Sequence, residues 1–387
     1  MPFWLSILLG AVALIGQFAL GVKLFNRVQA TAWPRPLIKA IELALLVAVP
    51  VGLGWLGWEL LHRDLWNFGS QATGSQLATA AYAAFCVVCG LAVIPLWVVP
   101  RMTFKRAAAL VDEKSQDVDL VAEHAEPLAG DWATNLWLYF PGNQIFHLSV
   151  TEKTLRIPGL PAELEGLTIA HWSDLHMTGQ ATRRYYREIT ERTQAMDPEL
   201  VVLSGDILED PRCFPWVGET IGKVEGKFGK FYCVGNHELK LPDVDVLRFE
   251  LYASGWMDLG SRVRRIRVRD VDILIAGNEL PWFGRAPEMG QFAGESMFRL
   301  LVSHTPDNYA WAREQRFNLM LSGHNHGGQI RFPLVGAVIA PSRFGACYAS
   351  GVFDLPPTVL HVSRGLGGTH PIRLNCPPEL ALLKLIR

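Results

Sequence analysis

Long stretches without a charged side chain dominate the N-terminal part of this chain, and they restrict what it can become. Met1 to Val22 carries no charge. At about 20 residues per crossing, it is long enough to span a bilayer. A cleaved signal peptide would put basic residues before the apolar core, whereas Lys23 comes after it. A second run covers Leu43 to Trp58, between Glu42 and Glu59, with Pro50 inside it. Neighbouring helices can accommodate such a proline. The run is short, so Trp55 and Trp58 are expected to complete the crossing at the interface. A third uncharged run goes from Gln76 to Pro100. Three membrane-spanning helices are therefore expected.

Basic residues in short loops set orientation. Lys23, Arg27, Arg35 and Lys39 separate the first two runs, only Arg63 separates the next two, and Arg101, Lys105 and Arg106 follow the third. The N-terminus is then expected outside and everything after Arg101 in the cytoplasm, as a multi-pass protein of the inner cell membrane. Residues 1–110 hold eight Lys/Arg and three Asp/Glu, while the whole chain has a net charge of -1. No basic field points to nucleic acid. Cys86-x-x-Cys89 lies in an apolar run with no second pair, so it makes no zinc site.

The expected divisions are a membrane domain over 1–106, a polar connector over 107–144 and a catalytic domain over 145–387. From Ile145 onward, short apolar runs alternate with helical or loop stretches. Residues 167–170, 200–203, 231–234, 271–276, 300–302 and 319–321 read as buried strands, and 185–196 as a helix ending before Pro198. The stretch 359–386 is richer in strand. This pattern predicts an α/β fold, a two-sheet sandwich flanked by helices.

Five polar clusters follow these apolar runs directly. They are Ser173-Asp174-Leu175-His176, Ser204-Gly205-Asp206, Gly235-Asn236-His237-Glu238, Ser303-His304 and Ser322-Gly323-His324-Asn325-His326. Ligands of open α/β sheets gather at the carboxyl ends of strands. Each cluster alone is common, since a Gly-Asp pair is often a turn and a lone strand-end histidine is often structural. Together they deliver carboxylates, an amide and imidazoles to one edge, a donor set suited to Mn, Fe or Zn. Gly205, Gly235 and Gly323 let the backbone approach closely.

This constellation resembles the calcineurin-like metallophosphoesterase superfamily over roughly residues 145–387. The resemblance implies that Asp174, His176 and His326 hold one divalent metal, that Asn236, His304 and His324 hold another, and that Asp206 bridges them. Manganese is the favoured ion. His237 is implied as a catalytic group beside the leaving oxygen or the phosphoryl oxygens, with Glu238 supporting its loop. The second motif departs from the superfamily, with Glu209 where an aspartate is usual. The tail, from Ser363-Arg364-Gly365 to Pro378-Glu379, is similar to a membrane-anchored branch that includes UDP-2,3-diacylglucosamine pyrophosphatases.

The implied activity is hydrolysis of a phosphodiester, phosphomonoester or pyrophosphate by hydroxide shared between two cations about 3.5–4 Å apart. A lipid-linked substrate such as UDP-diacylglucosamine is among the expectations. Trp282, Phe283 and Trp216 are candidates for apolar substrate contacts or core. His370 is a candidate neighbour of the site, and Arg183, Arg184 and Arg343 are candidates for binding substrate phosphate or for a solvated surface role, the latter favoured. Two rivals stand beside this reading. One is a catalytically degenerate metal-binding scaffold; the other is a membrane receptor or transporter with a regulatory phosphoesterase domain.

Overall fold

The computed structural model describes residues 2–62, 73–102 and 106–387. Two compact units divide the chain, Met1–Lys105 and Arg106–Arg387.

The first unit contains three helices, α1 (Phe3–Gln29), α2 (Arg35–His62) and α3 (Gly74–Met102). All three have an apolar stretch long enough to cross a membrane, which associates this chain with a bilayer. The second is not the short element expected from its uncharged run. It continues through Pro50 and extends N-terminally to Arg35, giving 28 residues. Only Ile38, Leu56 and Glu59 are buried along it, so its apolar surface remains for lipid. Arg63 and Lys105, used for orientation, lie outside the described residues.

The second unit holds two sheets. The first is built from β1 (Leu110–Asp119), β2 (His147–Arg156), β3 (Thr168–Trp172), β4 (Leu200–Ser204), β5 (Lys230–Cys233), β6 (Met257–Asp258) and β15 (Glu379–Ile386). Its order is β1-β2-β15-β3-β4-β5-β6. The second sheet contains β7 (Val263–Val268), β8 (Val271–Asn278), β9 (Arg299–Ser303), β10 (Leu319–Ser322), β13 (Gly351–Leu355) and β14 (Thr358–Val362), ordered β13-β14-β10-β9-β8-β7. A small hairpin pairs β11 (Arg331–Phe332) with β12 (Gly336–Ala337). The described helices of this unit are α4 (Leu120–Glu123), α5 (Trp132–Trp137), α6 (Arg183–Ala195), α7 (Phe214–Glu219), α8 (Val244–Ala253) and α9 (Tyr309–Glu314), besides short 3-10 turns.

Strand periodicity distributes the core. Ile169, Val202 and Phe231 of the first sheet meet Ile275, Leu300 and Leu321 of the second. The alternate positions Ala170, Trp172, Val201 and Leu203 face Tyr185, Ile189, Val217 and Leu251 on the helical side. Leu301, Met320 and Leu360 cover the other face with Ala312 and Phe317. The result is the predicted sandwich flanked by helices.

Residues 107–144 include an edge strand of the first sheet. Leu110–Asp119 pairs antiparallel with β2 over its length. Its side chains are mostly exposed, because an edge strand needs backbone pairing rather than apolar alternation. Strands β2 and β7 were likewise outside the expected set.

Candidate metal centre

Parallel strands β3, β4 and β5 of one sheet and β9 and β10 of the other end in the five polar clusters. Backbone hydrogen bonds then weld the loops together. Asp174 N donates to Gly205 O (3.0 Å), His176 N to Asp206 O (2.9 Å) and Gly323 N to His304 O (2.9 Å). The Asp174 carboxylate accepts His324 N (3.1 Å), and Asp206 Oδ1 accepts His237 N (2.8 Å). The close approach explains two glycines. A Cβ at 323 would lie 1.6 Å from Ser173 Oγ, and one at 235 would lie 2.3 Å from Asp206 Oδ1.

The seven candidate ligands and His237 converge. Asp174, His176, Asp206 and His326 form one cluster of metal-ligating groups, and Asp206, His304 and His324 form a second. Asn236 Oδ1 lies 3.1 Å from His304 Nε2. His237 joins His176 and Glu209 in a third cluster. Asp174, Asp206 and His304 are fully buried. Asp174, His176, Asp206, His324 and His326 all adopt positive φ, between 46° and 70°. Such conformations are costly for side-chain-bearing residues and persist where surrounding structure imposes them, commonly at functional sites.

The donor set fits a cation. His176 Nδ1 donates to the Glu209 carboxylate, and His304 Nδ1 donates to Ser204 O at 2.8 Å. In the neutral rings each Nε2 therefore presents a lone pair. His304 Nε2 faces Asn236 Oδ1, Asp206 Oδ2 and His324 Nδ1, each at 3.1 Å. His176 Nε2 faces His326 Nε2 at 3.0 Å. Asp206 Oδ2 is buried with no well-formed hydrogen bond, and it lies 3.6 Å from His176 Nε2. Electron-pair donors thus point at one another, an arrangement that a shared positive charge relieves.

Titration follows the same field. Burial lowers His304, but the Asp206 carboxylate outweighs it and raises the pKa to about 9. A bound cation would take the place of that proton. Burial holds His324 and His326 well below the ordinary imidazole value, leaving them neutral. Burial would raise Glu209, yet its hydrogen bonds to His176 and His237 hold the carboxyl far below the usual range.

Two groups support the histidines: Glu209, flagged in the second motif, and Arg373, which had no signal in sequence. Glu209 pairs with His176, with His237 Nδ1 at 2.7 Å and with Lys240. The glutamate that departs from the expected aspartate thus reaches both histidines. Arg373 is fully buried. It donates to Arg364 O, Gly367 O and Cys376 O, and lies 3.4 Å from His326 Nδ1. A buried arginine cannot be distinguished from a surface one by its neighbours in sequence. Glu238 accepts the backbone N–H groups of Gly235, Asp206, Ile207 and Leu208, the loop-supporting role expected of it.

The other candidates differ in their surroundings. His370 is exposed, and its carbonyl accepts Gln329 Nε2. Arg183 and Arg184 line a groove of ≈ 610 Å³ with Arg187, Arg212 and Trp216. Arg183 is paired with Glu219, and Arg184 with Glu188. Arg343 is exposed, and its backbone N–H donates to Asp307. Trp282 flanks the centre, its ring centroid 4.9 Å from that of His324. Phe283 packs on the core beneath the helices.

Residues 167–328 match the profile of the calcineurin-like phosphoesterase family. The chain is 28% identical over 250 residues to the uncharacterized metallophosphoesterase YkuE of Bacillus subtilis, covering 62% of this chain and 85% of that one. It is 29% identical over 194 residues to the phosphodiesterase YaeI of Escherichia coli, covering 49% and 71%. A third relative is the UDP-2,3-diacylglucosamine pyrophosphatase LpxG of Chlamydia trachomatis, 22% identical over 297 residues, covering 62% and 89%. Profile, relatives and converging donors agree: the chain carries a calcineurin-like metallophosphoesterase domain, the domain of a metal-dependent phosphoester hydrolase.

Proposed function

We propose that this membrane-associated hydrolase works with two divalent cations. Asp174, His176 and His326 hold one, Asn236, His304 and His324 hold the other, and Asp206 is shared. The observation that carries this reading is the position of Asp206, the only residue common to the two ligand clusters that contain His326 and His324. Manganese is the favoured ion, within a donor set that also suits iron and zinc. Cations held there would supply positive charge that acidifies water and neutralises the phosphoryl oxygens.

The protein's own residues do the rest. Glu209 orients His176 and His237 together. Lys240 Nζ lies 2.8 Å from His237 Nδ1 and also pairs with Glu209. Burial lowers His237 to about 4, so the ring is neutral near pH 7. Its Nε2 lies 4.0 Å from Asp206 Oδ2, on the side where a phosphoryl group would sit. In its protonated form, with Nδ1–H held by Glu209, Nε2 would donate a hydrogen bond or proton to the leaving oxygen. The Trp282 ring gives the His304–His324 side an apolar wall.

A lipid-linked pyrophosphate such as UDP-diacylglucosamine is the proposed substrate, supported by the membrane helices and the similarity to LpxG. The catalytic domain is proposed to face the cytoplasm, on the distribution of basic residues around the apolar runs. The test is a panel of lipid pyrophosphates, soluble nucleotides, monoesters and diesters, assayed with purified full-length protein and manganese. Preferential turnover of the lipid pyrophosphate is expected. Equal or better turnover of soluble nucleotides would overturn the substrate assignment, and no turnover of any member would overturn the catalytic one.

A further inference from the structure

Large apolar side chains stand in solvent on α8, where Phe249 is 66% and Tyr252 75% exposed, and at two further places on the second unit. One is α5 and the turn after it, where Trp132 and Tyr139 are each 80% exposed and Leu136, Trp137 and Phe140 accompany them. The other is the tip of the β11–β12 hairpin, where Leu334 is 99% exposed beside Phe332 and Val335. Leaving a large apolar side chain in water forgoes about 1.5–3 kcal/mol relative to burying it. Clusters of such residues mark a surface with a partner.

Hydrogen bonds put the two ridges on either side of one segment, 370–375. Asn143 Nδ2 donates to Trp137 O and to Pro371 O, both at 2.9 Å. Across that segment, Arg331 N donates to Leu374 O and Asn375 Nδ2 donates to Arg331 O, again both at 2.9 Å. Arg373, in the same segment, stands against His326. The ridges therefore flank the wall behind the His326 side of the metal centre.

Each ridge is held in shape from below rather than by its exposed residues. The Asp131 carboxylate caps α5 by accepting Thr134 N, and Thr134 is buried. Arg331 anchors the hairpin through Gly327 O and Ser350 Oγ. Their outward surface is thus free to meet something else. Tryptophan, tyrosine, phenylalanine and leucine are the residues that seat a protein at the boundary of headgroups and acyl chains.

We propose that these two ridges are a membrane-docking face, inserted into the interfacial layer of the bilayer that α1–α3 occupy. The covalent link supplies the argument for a bilayer over a soluble partner. Helices anchored in lipid keep the second unit at a membrane surface, so even weak insertion is an intramolecular event at high effective concentration. Docking by this face would present the His326 side of the centre to lipid headgroups. The inference concerns the surface and not the chemistry, so its failure would leave the phosphoesterase reading standing.

The test uses full-length protein in nanodiscs of phosphatidylcholine and phosphatidylglycerol. Spin labels are placed singly through Leu334→Cys, Leu136→Cys and, as a control on edge strand β7, Arg267→Cys. Each carries Cys347→Ser to remove the exposed native thiol. At 334 and 136, relaxation by oxygen should exceed relaxation by a water-soluble nickel chelate; at 267 the order should reverse. Leu334 has almost no packing to lose, so labelling there leaves the fold intact. Nickel access at 334 and 136 equal to that at 267 would overturn the proposal. Spin–spin broadening without oxygen preference would do so as well, assigning the face to a second copy of the chain.

Discussion

Two clusters of buried ionisable groups lie in the catalytic unit, and they differ in whether they are complete. The first comprises Lys153, Glu379, His361, His171 and Ser204. Lys153 Nζ donates to Glu379 Oε1 at 2.5 Å and to His361 Nε2 at 3.2 Å. That leaves the His361 proton on Nδ1, which donates to His171 Nδ1 at 2.9 Å, and His171 Nε2 donates onward to Ser204 Oγ at 2.9 Å. Glu379 also accepts Thr151 Oγ1 and Arg364 N. Every donor has an acceptor and the charges cancel. The second cluster, around Asp206, faces acceptor to acceptor. His304 Nδ1 donates to the carbonyl of Ser204, the residue at which the closed network ends. The difference teaches that burial and histidine content do not identify a site. A deficit of positive charge among converging lone pairs does.

Disrupting each cluster should separate chemistry from stability. The largest expected effect is that of Asp206→Asn. Turnover of a generic phosphodiester should fall by about 10²–10³-fold or more, with a loss of bound metal measurable by elemental analysis. Retained metal and rate would remove Asp206 from the shared position.

Lys153→Met should act on the other cluster only. Stranding the buried Glu379 carboxylate costs about 3–5 kcal/mol, read as a lower denaturation midpoint, while the metal content of folded protein stays unchanged. The double variant Lys153→Met/Glu379→Leu should recover much of that loss, because the orphaned charge is gone. A double variant as unstable as the single one would contradict the charge accounting.

Glu209→Gln comes next. Outer groups that orient metal-bound imidazoles are worth about 10–100-fold in affinity or activity. The expected result is weaker metal binding with little change in thermal stability. An unchanged metal titration would leave Glu209 a structural partner alone.

The smallest effect is in pH. Burial lowers His171 from 6.5 to about 3, and burial lowers His361 in the same direction. Below pH 6.5 the unfolded chain therefore binds protons that the native chain refuses. The contribution of His171 is complete above that pH and is lost as pH falls toward 3. Its slope is at most about 1.4 kcal/mol per pH unit. His171→Asn should flatten the acid limb of a melting-temperature profile, and an unaltered limb would show that the ring titrates normally.

Much of the candidate site was legible in the sequence, because its polar groups sit immediately after buried strands. An apolar run such as Leu200–Leu203 marks its own strand, and the polar residue that follows must emerge at the sheet edge. Asp174, Asp206, Asn236, His304, His324 and His326 each obey that local rule. The apolar helices were equally local, since hydrocarbon thickness sets their length. Strand β1 escaped because its exposed edge carries residues such as Asp112, Lys114 and Asp117, and only pairing with β2 makes it a strand.

By itself, then, the sequence determined which polar side chains gather at the strand ends of the candidate site, because strand-end placement depends on neighbours in the chain. Only the tertiary structure decided what surrounds them. Glu209 reaching two histidines, Arg373 behind His326, and the His171–His361 pair joining residues 190 apart in sequence are long-range contacts. Such contacts have no local signature, because they exist only once two sheets have packed face to face.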